Sequence, residues 1–80
     1  MLTYKAMYKF IDEGVHAEVL DFPGAISFGR DLEDARRMLG AALVDMAETN
    51  LIRGEPLPQC DATRTDPEAD IEEPIHLRIV

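Results

Sequence analysis

The chain has no tryptophan, one cysteine (Cys60) and two histidines, and its 8 Lys and Arg are outnumbered by 16 Asp and Glu. Each shortage excludes something. A single cysteine rules out an internal disulfide and suits a reducing cytoplasm, the compartment expected here. With one Cys and only His16 and His76 beside it, there is no Cys/His cluster at metal-ligand spacing, so no metal and no cofactor is expected. The scarcity of basic residues, for a formal net charge of −8, argues against direct binding to nucleic acid, which needs a cationic face to displace counterions, and against an anionic membrane surface. No apolar run approaches the roughly 18 residues that span a bilayer. Lys5 and Lys9 interrupt the N-terminal apolar positions, so a signal peptide is not expected. No Gly-rich phosphate loop is present, nor a nucleophile set beside a base.

What remains is the composition of a small globular domain, 46% hydrophobic and 30% charged over 80 residues. We read residues 1–80 as one domain. At this size a chain buries only about 60–65% of its unfolded surface and is marginal alone, so a homodimer or higher homo-oligomer is expected. The acidic balance serves solubility and also suits a basic protein partner.

The stretch Leu20–Ala35 organises the rest. Asp21-Phe22-Pro23-Gly24 is turn chemistry, with Pro23 presetting φ and Gly24 tolerating positive φ. Ala25–Phe28 alternates as a short strand, Gly29 breaks it, and Asp31 is placed to cap a helix, helped by Asp34 three residues on. Upstream, Thr3–Ile11 and Val15–Leu20 alternate on either side of the hairpin signal Asp12-Glu13-Gly14. Downstream, Leu32, Ala35, Leu39, Ala42, Leu43 and Met46 recur at three- and four-residue spacing, giving a helix that frays near Asn50–Arg53. Glu33 and Arg37 are in the favourable i,i+4 order, and Gly40 inside the helix suggests a close approach to the sheet. The stretch 55–74 is then rich in proline and acid and reads as a loop, with Arg64 its only basic residue. Ile75–Val80 alternates again as a final strand.

The expected fold class is α+β, in the order β-β-β-α-β, with one helix packed on a mainly antiparallel sheet. Tyr4, Tyr8, Phe10, Val15, Val19, Ile26, Phe28, Leu39, Leu43, Met46, Leu77 and Ile79 are the expected core. His16 and His76 fall at outward strand positions and read as surface residues, Cys60 as an inert loop thiol, and Arg36 and Arg37 as solvated helix face. Asp12, Glu13, Glu18 and Asp21 can be drawn together as carboxylate pairs for acid–base or metal-assisted hydrolysis. A hairpin tip and a turn carry such residues for solvation alone, so no catalytic role is assigned and no enzyme is expected. A metal-dependent nuclease is the least favoured reading. The acidic loop is a solvated linker or a segment that orders against a basic partner.

The run Glu18-Val19-Leu20-Asp21-Phe22-Pro23-Gly24-Ala25-Ile26-Ser27-Phe28-Gly29, followed by Asp31-Leu32-Glu33-Asp34-Ala35, resembles the HicB antitoxin family. Gly54-Glu55-Pro56-Leu57-Pro58 looks like that family's Gly-Glu-Pro-Ile-Pro element after the helix, and the Asp12-Glu13-Gly14 hairpin fits. Leu20 replaces the usual proline and Arg30 a frequent acidic residue. The resemblance, to a short form lacking the C-terminal DNA-binding domain, implies a partly degraded ribonuclease-H-like fold without its catalytic carboxylates. It implies an antitoxin that neutralises a small basic HicA-like toxin, an mRNA-cleaving ribonuclease, by covering its RNA-binding surface. Asp12, Glu13, Glu18, Asp21, Glu55, Asp61, Asp66, Glu68 and Asp70 are the expected toxin contacts. The alternative is a solitary HicB-like dimeric interaction or ligand-binding module with no toxin.

Overall fold

The computed structural model describes residues 1–78; the expected core residue Ile79 and the end of the last expected strand lie outside them. The order is β1 (Leu2–Ile11), β2 (Gly14–Val19), β3 (Ile26–Gly29), α1 (Leu32–Ile52) and β4 (Ile71–Leu77). The strands form one antiparallel sheet in the order β3-β2-β1-β4, with α1 across one face. This is the expected α+β, β-β-β-α-β architecture. No helix among the described residues is long and apolar enough to cross a membrane.

Register decides which side chains meet the helix. Tyr4 lies opposite Ile75, Ala6 opposite Val19 on one side and Glu73 on the other, and Tyr8 opposite Ala17 and Ile71. Directly opposed residues in an antiparallel pair point to the same face. Tyr4, Ala6, Tyr8, Val15, Ala17, Val19 and Leu77 therefore build the inner face and pack with Ala35, Leu39, Leu43 and Ala47 of α1. The helix begins as the sequence indicates. The Asp31 side chain accepts the Asp34 N–H at 2.8 Å, and Asp34 Oδ2 accepts the Arg30 N–H at 3.0 Å, one residue earlier than in a standard capping box. It ends in a Schellman motif: Gly54, at φ +72°, donates to the Leu51 carbonyl and Glu55 to that of Asn50.

Three expected core residues are not in the core. Phe10 points toward the helix face but lies at the hairpin end beyond the helix, and is 50% exposed. Ile26 and Phe28, 51% and 45% exposed, face away from α1. The reason is Gly29. A Cβ there would sit 2.2 Å from the Ala35 nitrogen, so helix and strand touch backbone to backbone. This contact leaves no room for bulky side chains on the inner face of β3, and the alternation sends Ile26 and Phe28 outward. Gly29 is thus the close-approach glycine; a Cβ on Gly40 would meet nothing within 4 Å. Met7 and Phe22, each 2% exposed, were not expected in the core. Phe22 meets Tyr4 edge-to-face at 5.7 Å between centroids, and Met7 is buried on the opposite face of the sheet.

The last strand starts at Ile71, four residues earlier than Ile75, and includes Pro74. β4 borders the sheet, and an edge strand tolerates proline because only one side of it must keep its ladder.

Candidate protein-interaction surface

Residues 53–70 are neither helix nor strand, yet they form a strap tied to the sheet by polar contacts. The Tyr4 hydroxyl donates to the Pro58 carbonyl at 2.7 Å. Lys5 Nζ donates to the Ala62 carbonyl at 2.8 Å and Lys9 Nζ to that of Glu68 at 3.2 Å. Lys5 and Lys9 alternate with the inward Tyr4, Ala6 and Tyr8, so the strap runs along the outer face of β1, over Met7. The Asp70 N–H donates to the Tyr8 carbonyl at 2.8 Å, and Asp70 Oδ2 accepts the Phe10 N–H at 2.7 Å, which leads the chain into β4. Two lysines on one face of β1, four residues apart, thus give the strap part of its cationic footing. A groove of about 220 Å³ remains between strap and sheet, with Lys5, Asp21, Asp61 and Glu72 on its walls.

Asp21 is the central anchor. It was expected at an exposed turn; the turn is there, but the residue is 7% exposed. Its Oδ2 accepts the Asp61 N–H at 3.0 Å. Arg64 Nε stands 2.7 Å from Oδ1 without the alignment of a hydrogen bond, so that contact is an ion pair. The only basic residue between positions 55 and 70 is therefore paired within the molecule, its side chain still half-exposed. Burial next to Asp21 and Cys60 also pushes the Tyr4 hydroxyl above its ordinary pKa, keeping it a donor.

The other expected contact residues separate into two groups. Asp12 and Glu13 are exposed at the hairpin tip, as are Glu55 and Glu68 on the strap. Glu55 makes one long contact to Arg53, at 3.9 Å. Asp61, Asp66 and Asp70 instead bond to neighbouring backbone. Asp61 Oδ1 accepts from the N–H and hydroxyl of Thr63, whose hydrogen bonds hold its pKa below the usual carboxylate range, and Asp66 Oδ1 accepts the Glu68 N–H at 2.9 Å. Glu18, half-buried on β2, pairs with His16 at 2.9 Å.

Two acidic residues of β4 complete the arrangement. Glu72, on the outer face, takes the Thr65 hydroxyl, the Asp66 N–H and the Lys5 ammonium at 3.6 Å, and the first two hydrogen bonds chiefly lower its pKa. Glu73, on the inner face, is clamped by Arg36 through two hydrogen bonds of 2.7 and 3.0 Å that lower its pKa. Arg36 also lies 6.0 Å from the Tyr8 ring centroid. Burial first, then the Glu73 charge, pushes the Tyr8 hydroxyl up to about 12. Arg36 was read as solvated helix face and is instead the tie between α1 and β4. Arg37 pairs with Asp34 at 2.7 Å rather than with Glu33.

The molecule presents ordered carboxylates around one β-sheet, and its fold is similar to that of solved HicB antitoxin structures. The crystal structure of the N-terminal domain of the Burkholderia pseudomallei antitoxin HicB aligns with a TM-score of 0.79 at 21% identity, covering 98% of this chain and 100% of that one. The longer Burkholderia pseudomallei HicB structure aligns at 0.81 with 23% identity, over 96% of this chain and 64% of that one, so the chain spans under two thirds of its length. A HicA3 and HicB3 toxin–antitoxin complex aligns at 0.72 with 19% identity, over 98% of this chain and 100% of the other. No protein-family profile matches the sequence, and no curated protein does. The chain has the HicB N-terminal-domain fold.

Proposed function

We propose that this protein acts as an antitoxin, capturing a small basic HicA-like ribonuclease and covering the surface with which it binds RNA. The observation that carries this reading is the ordered acidic strap on a HicB-type sheet. Arg64, the only cation between positions 55 and 70, is paired with Asp21, and Glu55 and Glu68 project from a backbone held by Lys5, Lys9 and Asp21. Because that backbone is already fixed, a cationic partner meets placed charges and binding need not order a flexible loop. Asp12, Glu13, Glu55 and Glu68 are the leading contacts, with Glu18, Asp61, Asp66 and Asp70 in support and Asp21 acting from beneath. The role is binding without chemistry, in the cytoplasm, where mRNA and its nucleases meet.

The test is a tagged purification from the native cell at low salt. The expected result is a stoichiometric small basic protein, released by raised salt, that cleaves RNA when free and is silent when recombined. Charge reversals Glu55→Lys and Glu68→Lys should then slow association more than they speed dissociation. Bait recovered alone under gentle conditions would instead support the solitary dimeric module.

A further inference from the structure

The groove between strap and sheet lies on the outer face at β1 and β4, where Lys5 stands opposite Pro74 and Met7 opposite Glu72. Its charged lining comes from separate parts of the chain: Asp21 from the turn before β3, Asp61 from the strap, Glu72 from β4 and Lys5 from β1. Asp21 is the deepest carboxylate, its side chain 2% exposed against 24% for Glu72. Ala62 and Pro74 supply apolar wall.

Each of the three carboxylates has a divided role. One oxygen holds the strap: Asp21 Oδ2 takes the Asp61 N–H, Asp61 Oδ1 takes Thr63, and Glu72 Oε2 takes Thr65 and the Asp66 N–H. The other oxygen accepts no hydrogen bond among the described residues. Asp21 Oδ1 is buried with only the misaligned Arg64 Nε beside it, and Glu72 Oε1 has only the Lys5 ammonium, at 3.6 Å too distant for a hydrogen bond. A buried carboxylate oxygen without a hydrogen bond is costly, and a ligand that brings N–H donors relieves that cost.

Charge and size define the occupant. Asp21, Asp61 and Glu72 face two cations, Arg64 and Lys5, so the groove keeps a negative charge in excess, while Glu73 is neutralised by Arg36. An anion is repelled. A divalent metal fits poorly, because it demands a shell of oxygen ligands and here the Lys5 ammonium, fixed by the Ala62 carbonyl, sits among the carboxylates. No group of three ligating side chains among the described residues is placed to hold a metal. A guanidinium or primary ammonium offers several N–H donors to oxygens that lack them, and an alkyl stem suits Ala62 and Pro74. At about 220 Å³ the groove is below the roughly 300 Å³ from which sites for drug-sized ligands start, so the stem is short.

We infer that this groove is a binding site for a small organic cation, a guanidinium or primary ammonium on a short alkyl stem, held by Asp61 and Glu72 and by the buried charge of Asp21. The site stands apart from the antitoxin reading, since that reading's leading contacts, Asp12, Glu13, Glu55 and Glu68, lie outside the groove. Because Asp21, Asp61 and Glu72 belong to the turn, the strap and β4, an occupant ties the three together and steadies the strap. The same head group reaches the groove either as a free molecule or on an arginine side chain of a bound protein.

Titration of the isolated chain with propylguanidinium, followed by amide NMR at constant ionic strength, tests the site without any toxin. Saturable shifts are expected at Thr3, Lys5, Ala62 and Glu72, with a dissociation constant of about 1 mM or tighter. Hydrogen exchange in residues 55–70 should slow at saturation. Glu72→Gln and Asp61→Asn each remove a charge and should weaken binding about tenfold with an unchanged circular dichroism spectrum. Ala62→Phe fills the groove and should abolish binding, whereas Glu55→Gln and Glu68→Gln, exposed on the same strap, should leave it unchanged. N-acetylarginine N-methylamide carries the same head group and stem on a peptide backbone. Binding of both probes assigns the site to a protein-borne arginine, and binding of propylguanidinium alone assigns it to a free cation; each result supports the site. No saturable shift below about 50 mM, equal weakening by Glu55→Gln and Glu72→Gln, or the same shifts produced by magnesium would overturn the proposal.

Discussion

The β4 edge is held by charge and the β3 edge by shape. At β4, Arg36 clamps Glu73 from the helix side, while Lys5, Thr65 and the Asp66 N–H hold Glu72 from the strap side. At β3 the join is Gly29 backbone against Ala35 backbone, with no ion pair between strand and helix among the described residues. An edge built from polar contacts can be titrated and can be loosened locally, whereas one built from backbone contact gives way only when helix and strand separate. The difference teaches why the apolar side chains Ile26 and Phe28 point outward at one edge and the charged strap lies beside the other.

Breaking the β3 side should have the largest effect. Gly29→Ala places a methyl 2.2 Å from the Ala35 nitrogen, and both backbones must move. We expect a loss of about 3 kcal/mol, seen as a lower urea midpoint. Retention of wild-type stability would show that the contact is softer than its geometry indicates.

Next is the strap's anchor. Asp21→Ala leaves the Asp61 N–H without its acceptor and the Arg64 guanidinium without its ion-pair partner. A loss of about 2 kcal/mol is expected, with faster hydrogen exchange in residues 55–70 and at Met7 while β2 and β3 stay protected. Uniform loss of protection would mean that the strap and the sheet unfold as one unit.

A control away from both edges is Gly40→Ala. The site is open, so only helix propensity changes, and stability should rise by up to about 1 kcal/mol, with a melting temperature a few degrees higher. A decrease would reveal a contact at this face of α1.

The mildest test is acid. Asp61, Glu72 and Glu73 have folded-state pKa values below their ordinary ones. Their contribution is therefore full above the unfolded carboxyl values, about pH 4–4.5, and is lost as pH falls through the lower folded values. Strap and β4 amides should lose protection before those of β2 and β3. Asp34, also depressed by its bonds to Arg30 and Arg37, should weaken the start of α1 over the same window. An opposite order, with β3 opening first, would contradict the division between the edges.

Much of this was legible in the residues. Alternation in Thr3–Ile11, the Asp12-Glu13 turn, the Pro23-Gly24 reversal, the Asp31 cap and the Gly54 end are local chemistry, and each lies where its residues place it. The candidate contacts were less legible. Asp21, Asp61, Asp66 and Asp70 read as loop carboxylates, and nothing nearby in sequence indicates that Asp21 accepts the N–H of a residue forty positions away. Pro74 and the run of acids concealed the true start of β4, because local pattern does not say which strand will border a sheet.

The sequence by itself determined the order of elements, the two ends of the helix and the acidic character, since turns, caps and net charge depend on residues within a few positions of one another. Only the tertiary structure decided that Gly29 rather than Gly40 meets the opposing element, that Ile26 and Phe28 turn outward, that Met7 is buried away from the helix, and that Arg64 and Arg36 are tied down. These depend on how close two backbones come and which face is covered. Such distances are set by the packing of the whole chain and by no single segment of it.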